Sequence, residues 1–209
     1  LFPNDFLDVA GEAGVLRRID QAVLMRVIED RRLWEAAGLV APRVSVNISG
    51  HRLREPDLIT DIRAADFPPG ALTIELLESI FLDEADATVD WTIDQLREMG
   101  VGIELDDFGT GHSSIVGLIK LKPDGLKIDR QFVMPITESV EKAALVRSII
   151  EIGRSIGVQV VAEGVETLAH ARILADLNCD ILQGYAFAKP MPPDVLVPFL
   201  TEKPWRETG

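Results

Sequence analysis

Cysteine is nearly absent from this 209-residue chain. Cys179 stands alone, so no intrachain disulfide can form, and the composition suits a reducing cytoplasm. Histidine is scarce too. His51, His112 and His170 are scattered and lack the spacing of a zinc motif. Positive charge is in deficit: 21 Lys and Arg stand against 34 Asp and Glu, a net charge of −13. That balance disfavours a protein that coats a nucleic-acid polymer, which would be basic. Any handling of phosphate must rely on metals or on individually placed Lys and Arg. No apolar run is long enough to span a bilayer, and no basic-then-apolar signal opens the chain. The opening LFPNDFLDVAGEAG has no start methionine and begins mid-pattern, which reads as an N-terminally incomplete domain.

What the chain does have is enough apolar residue, 47%, for one domain with a full core over residues 1–209. Its most informative stretch is VGIELDDFGTGHSS, residues 101–114. A β-favouring run ends in adjacent carboxylates, Asp106 and Asp107. A turn punctuated by Gly109 and Gly111 follows, and Ser113 and Ser114 then offer an N-cap before an apolar run. Two neighbouring carboxylates repel unless a positive charge sits between them, and hard oxygen ligands suit Mg²⁺ or Mn²⁺. A lone Asp-Asp pair is more simply a solvated acidic turn, so the rest of the chain decides.

Periodicity predicts helix over residues 6–37, broken by Gly11 and Gly14, with Ile19, Val23, Val27 and Ile28 on the inner face. Strands are predicted at 43–47, 71–75, 101–105, 125–129, 158–163 and 181–185. The helices predicted between and after them cover 51–65, 86–99, 138–156, 167–177 and 193–200. Within 138–156, Ala144, Leu145, Ser148, Ile149 and Ile152 share one side. Six short apolar strands alternating with helices imply a parallel sheet buried on both faces, with ligands at the strands' carboxyl ends. Each strand carries a polar group there: Asn47, Glu75, Asp106 with Asp107, Lys127, Glu163, Gln183. In a curled sheet these form a ring around one mouth. Burying four carboxylates there without a cation would cost several kcal/mol each, of the order known for buried unpaired ions.

Such a ring can hold two divalent ions, the arrangement suited to phosphate-ester hydrolysis. Asp106 is the natural bridge and Asp107 turns to the second ion. Lys127 orients water or neutralises phosphate, Glu163 takes the proton, and the 108–111 loop closes over substrate. A one-metal enolase-type proton abstraction also fits the bare ring. The adjacent aspartates and the glycine loop favour the phosphodiesterase.

The motifs VSVNIS (44–49), IELLES (74–79), LDDFGTGHSS (105–114), LKIDRQF (126–132), VVAEGVET (160–167) and QGYAFAKP (183–190) occur in the order found in one family. The chain resembles the EAL domain, the cyclic di-GMP phosphodiesterase module of bacterial signalling proteins. The resemblance implies a (β/α)8 TIM-type barrel and opening of cyclic di-GMP to linear pGpG with two Mg²⁺ or Mn²⁺ ions. It further implies frequent homodimers, and an upstream sensory or GGDEF-type domain outside this chain. By resemblance, Asn47, Glu75 and Asp106 ligate one metal, and Asp106 and Asp107 the other. Lys127 contacts the catalytic water, Glu163 serves base or metal chemistry, and Gln183 positions water. Glu78 holds the loop that contains Gly109 and Gly111. Glu166 reads as a helix-start acid and Arg130 as a local ion-pair partner. Trp34, Trp91 and Trp205 read as packing residues. The chain departs from the family in having no Glu-Ala-Leu strand, and with it no metal glutamate and no phosphate-binding arginine. WEAAG at 34–38 is no substitute. The barrel is therefore expected to lack its first two strands here, and this chain to turn over little. Leu77 replaces a usual threonine and His112 a usual tyrosine. Two rival readings are a cyclic di-GMP receptor that does not hydrolyse, and a purely structural dimerisation unit.

Overall fold

A computed structural model of the chain describes residues 6–40, 42–77, 86–110 and 115–202. Glu78 and Gly111 therefore lie outside the described residues, as do His112 and Trp205. Contacts divide the chain into two compact units: residues 1–76 with 83–102, and residues 77–82 with 103–209.

The first unit begins with α1 (Leu7–Glu12) and α2 (Leu16–Ala36). The break between them falls at Gly14, whose φ of 67° suits a residue without Cβ; Gly11 stays inside α1. The buried seam of α2 is Leu24, Ile28, Arg31 and Trp34, with Asp30 beside it. That corrects the inner face read from periodicity. Val23 is 44% exposed and, with Phe6, Val15, Ile19, Ala22 and Val27, lines an open apolar groove. A helix apolar on two flanks does not declare which flank is covered. The buried Arg31 ion-pairs with Glu35 at 2.7 Å and lies over the Phe67 ring at 5.4 Å, so its charge is compensated.

Strand β1 (Val44–Asn47) pairs in parallel with β2 (Leu72–Leu77), with Asn47 opposite Glu75. Only Val46 of β1 is fully buried, so the expectation of burial on both faces fails there. The 51–65 prediction resolves into α3 (Gly50–Leu53) and α4 (Pro56–Ala65), because Pro56 takes the first helical position of α4, where its missing N–H costs nothing. Helix α5 (Ala87–Glu98) is capped by Asp86, whose Oδ1 accepts from Thr88 N at 3.0 Å, and it buries Val89, Ile93 and Leu96. Arg52 is wholly buried and pairs with Asp57 and Asp61 of α4.

The second unit holds β3 (Gly102–Phe108, from Ile103 on), β4 (Gly125–Ile128), β5 (Gln159–Ala162) and β6 (Ile181–Leu182), each parallel to the next. Helices α6 (Ile115–Leu121), α7 (Arg130–Val133), α8 (Val140–Ile156) and α9 (Leu168–Asp176) run between them. A 3-10 turn (Met134–Thr137) precedes α8, and α10 (Pro193–Glu202) follows β6. Gly157 ends α8 at φ 75°. The buried side of α8 is Val146, Ile149, Ile150 and Gly153, whereas Leu145 is exposed and Ser148 bonds back to Ala144 O. Gly153 is buried because a Cβ there would stand 2.4 Å from Val160, so α8 and β5 touch through a glycine. Leu105, Leu126, Ile128, Val160 and Leu174 are essentially inaccessible. Each such side chain contributes about 1.5–3 kcal/mol through burial.

Candidate active site

The parallel register fixes where the polar strand ends fall. Leu105 pairs with Leu126 and Phe108 with Ile128, so two residues of β3, Asp106 and Asp107, stand opposite one residue of β4, Lys127. This is a β-bulge. Asp107 adopts the left-handed conformation, φ 55°, which an aspartate tolerates better than most residues. Its N–H donates to Asp106 Oδ1 at 3.0 Å. The bulge thus takes consecutive carboxylates out of strict alternation and brings both toward one cluster.

Lys127 is 3% exposed. Its Nζ lies 3.2 Å from Asp106 Oδ1 and 2.6 Å from Glu163 Oε1. Glu163 follows β5 directly, its N–H donating to Ile128 O at 3.1 Å. Ligand oxygens of Asp106, Asp107 and Glu163 all fall within 4.8 Å of one another. One ammonium therefore contacts two carboxylates, and a third lies beside them. Asp107 bears the imbalance. Burial, then the charge of Asp106, then Asp129 by charge and hydrogen bond, push its pKa up to about 6.

Asp129 is the residue that sequence reasoning missed. The predicted strand 125–129 makes it a strand residue. In the structure β4 ends at Ile128, and Asp129 caps α7 through Gln131 N at 2.7 Å while hydrogen-bonding Asp107. The signal was available, because Asp129 occupies a strand tip just as the other site acids do.

The remaining predicted residues fall as follows. Gln183 lies one residue beyond β6 and is exposed; its N–H donates to Ala162 O at 2.8 Å. Gly109 has φ 94°, and a Cβ there would stand 3.1 Å from the Phe132 ring. Thr110 bonds back to Asp107 O through both N–H and Oγ1, closing the turn after the bulge. In the first unit Asn47 and Glu75 are neighbours across β1 and β2; Glu75 is 8% exposed and Asn47 is exposed. Arg130 and Glu166 form a solvated pair at 3.6 Å, as expected for a local contact. Trp34 is buried and Trp91 is 54% exposed.

The donor set fits a hard divalent cation. It is all oxygen, negatively charged in excess of its one lysine, and gathered by a strained turn. Asp106, Asp107 and Glu163 are the described residues able to hold such an ion together within the second unit.

Comparison with known proteins agrees with this chemistry. The family model of the EAL domain matches residues 1–190. MucR of Pseudomonas aeruginosa, a bifunctional diguanylate cyclase and cyclic di-GMP phosphodiesterase, is 37% identical over 199 residues, covering 93% of this chain and 29% of MucR. The chain thus spans under a third of the length of this curated relative. The PaMucR phosphodiesterase in complex with c-di-GMP superposes with a TM-score of 0.85 at 36% identity, covering 94% of this chain and 81% of that one. BlrP1 of Klebsiella pneumoniae, solved with manganese and cyclic di-GMP, superposes with a TM-score of 0.71 at 29% identity, covering 83% and 45%. The α/β fold of TIM type anticipated from the sequence is the one shared with these structures. With its family model matched across both units, the chain belongs to the EAL domain family.

Proposed function

We propose that this domain hydrolyses cyclic di-GMP to linear pGpG in bacterial second-messenger signalling. The observation that carries the reading is the Lys127 ammonium held between Asp106 and Glu163, with Asp107 beside them on the bulge. A buried lysine clamped by two acids is a poor nucleophile, but it fixes both carboxylates and presents N–H donors to an anionic diester.

In this reading Asp106 and Asp107 would hold Mg²⁺ or Mn²⁺ in the second unit, and Asn47 and Glu75 would be the metal ligands of the first. When bound, the ions supply Lewis-acid charge that activates water and offsets the phosphodiester. Glu163 accepts the proton, and Lys127 restrains its carboxylate so that one oxygen remains directed at the reacting centre. Gln183 orients water through its amide. Gly109, with Gly111 and Glu78, shapes the loop after the bulge. Residues 1–209 belong to one catalytic domain, whose working form is a homodimer. Coupling to a cyclase, the activity that MucR's name gives it beside the phosphodiesterase, or to a sensory domain suits a signalling role. Among the described residues no helix is long and apolar enough to cross a membrane, and the reading places the domain in the cytoplasm.

The test is a single-turnover assay run long enough to register the slow turnover expected of this chain, with protein in excess over cyclic di-GMP, Mn²⁺ present, and pGpG followed by chromatography. Product from the wild type but not from Glu163→Gln supports hydrolysis. Tight binding without product makes the domain a receptor instead, and no binding at all overturns both.

A further inference from the structure

We propose that Tyr185, with Lys189 against its ring, is a stacking platform for one purine base of the substrate. The proposal rests on the phosphodiesterase reading and assigns to the same site a residue that decides which diester is held.

Three backbone bonds clip the segment after β6 to the segment that carries Glu163. Gln183 N donates to Ala162 O at 2.8 Å, Val165 N to Gln183 O at 3.0 Å, and Ala186 N to Val165 O at 2.9 Å. Gly184 allows no more room between the two. A Cβ on it would lie 2.3 Å from both the N and the O of Val165, so the two backbones meet directly. Phe187 N then donates to Gly184 O at 3.1 Å, closing a turn with Tyr185 and Ala186 at its tip. Glu163 and Val165 are two chain steps apart, at most about 7.6 Å between Cα atoms. Tyr185 is therefore fixed within a nucleotide's reach of the acid that faces Lys127.

The backbone is pinned, yet the residue is 54% exposed. Packing does not account for a tyrosine so placed, because half of its surface gains nothing from folding. Lys189 Nζ stands 5.9 Å from the ring centroid, which puts a cation beside an aromatic face. A rigid aromatic surface with a neighbouring cation is the arrangement that receives a nucleic-acid base, and the cation suits the acceptor edge of guanine. Among the described residues of this unit, Tyr185 and Phe187 are the exposed aromatics, and of the two Tyr185 is the one with a lysine over its ring.

Tyr185 is the single tyrosine of the chain. Protein made with 3-fluorotyrosine therefore gives one ¹⁹F resonance, assigned without mutagenesis. In Mg²⁺, cyclic di-GMP is expected to shift that resonance and inorganic phosphate to leave it unmoved. By calorimetry, Tyr185→Ala is expected to bind cyclic di-GMP at least about fivefold more weakly, in line with the loss of one base–aromatic stack. Tyr185→Phe should bind within twofold of the wild type, because the ring rather than the hydroxyl is used. The platform is refuted if the wild type binds cyclic di-GMP while the resonance stays still and Tyr185→Ala binds as well as the wild type. No calorimetric binding by the wild type would overturn the phosphodiesterase reading and the platform together.

Discussion

Lys127 Nζ lies 2.6 Å from Glu163 Oε1, and both groups are largely withdrawn from water, the lysine side chain 4% and the glutamate 21% exposed. With Asp106 on its other side, the ammonium is the local counter-charge of a group of acids. Lys127→Met should then do two things. It should slow hydrolysis by at least about 10²-fold, the lower range for a lost proton-transfer or positioning group. It should also lower stability on the order of 3 kcal/mol, because buried carboxylates lose their partner. A divalent ion can replace the missing charge, so Mg²⁺ should raise the Tm of this variant more than that of the wild type. A smaller metal-induced shift in the variant would mean that the lysine does not hold the acids.

Asp107 titrates high for a physical reason that also fixes a pH dependence. Its folded pKa, about 6, lies above the ordinary carboxylate value of 3.8. The folded state therefore binds the proton more tightly than the unfolded state does. The stability this group contributes is complete below about pH 4 and is lost as pH rises through 6. In EDTA, the Tm difference between Asp107→Asn and the wild type should move in favour of the variant from pH 4 to pH 7. A difference independent of pH would show that Asp107 carries no such strain.

Asp129 is the second group that lifts Asp107, by charge and by a hydrogen bond. Asp129→Asn keeps an oxygen to cap α7 through Gln131 N, so the helix start should survive. The charge does not survive, and Asp107 should titrate lower. A carbon-detected NMR titration of the metal-free protein reads this directly. An unchanged Asp107 midpoint would remove Asp129 from the site.

These acids also show which parts of the site were legible. Asp106, Asp107 and Glu163 could be read because each ends a β-favouring run, and Lys127 because it sits within the last residues of one; parallel strands carry their chemistry at that end. The bulge could not be read. It depends on how β3 pairs with β4, and one extra residue in a strand leaves no local mark. Asp129 was lost to an error of one residue at a strand boundary, the least determined feature of any element. The same distinction holds for the helices. The expected starts at 86 and 167 and the expected end at 156 fall within one residue of α5, α9 and α8, because caps and left-handed turns are local chemistry. The covered faces of α2 and α8 were misjudged, because tertiary neighbours choose among several apolar flanks. Arg52, wholly buried, had no sequence signal at all; its burial is explained only by Asp57 and Asp61 meeting it from α4.

That buried arginine permits a test of stability apart from chemistry. Arg52 takes its place in the core of the first unit only because two acids, i and i+4 on α4, reach its guanidinium, Asp61 at 2.7 Å. Asp61→Ala removes the less exposed acid and leaves the cation half paired. The cost should be about 3 kcal/mol, at the lower end for breaking a buried pair because Asp57 remains. Exchanging all three for apolar residues, Arg52→Met with Asp57→Leu and Asp61→Leu, removes charge and partners together. It should cost less than Asp61→Ala alone, since no ion is left uncompensated. Chemical denaturation of the two proteins decides the matter. If the triple variant is the less stable, the network contributes net stability rather than only compensating a charge that the fold has buried.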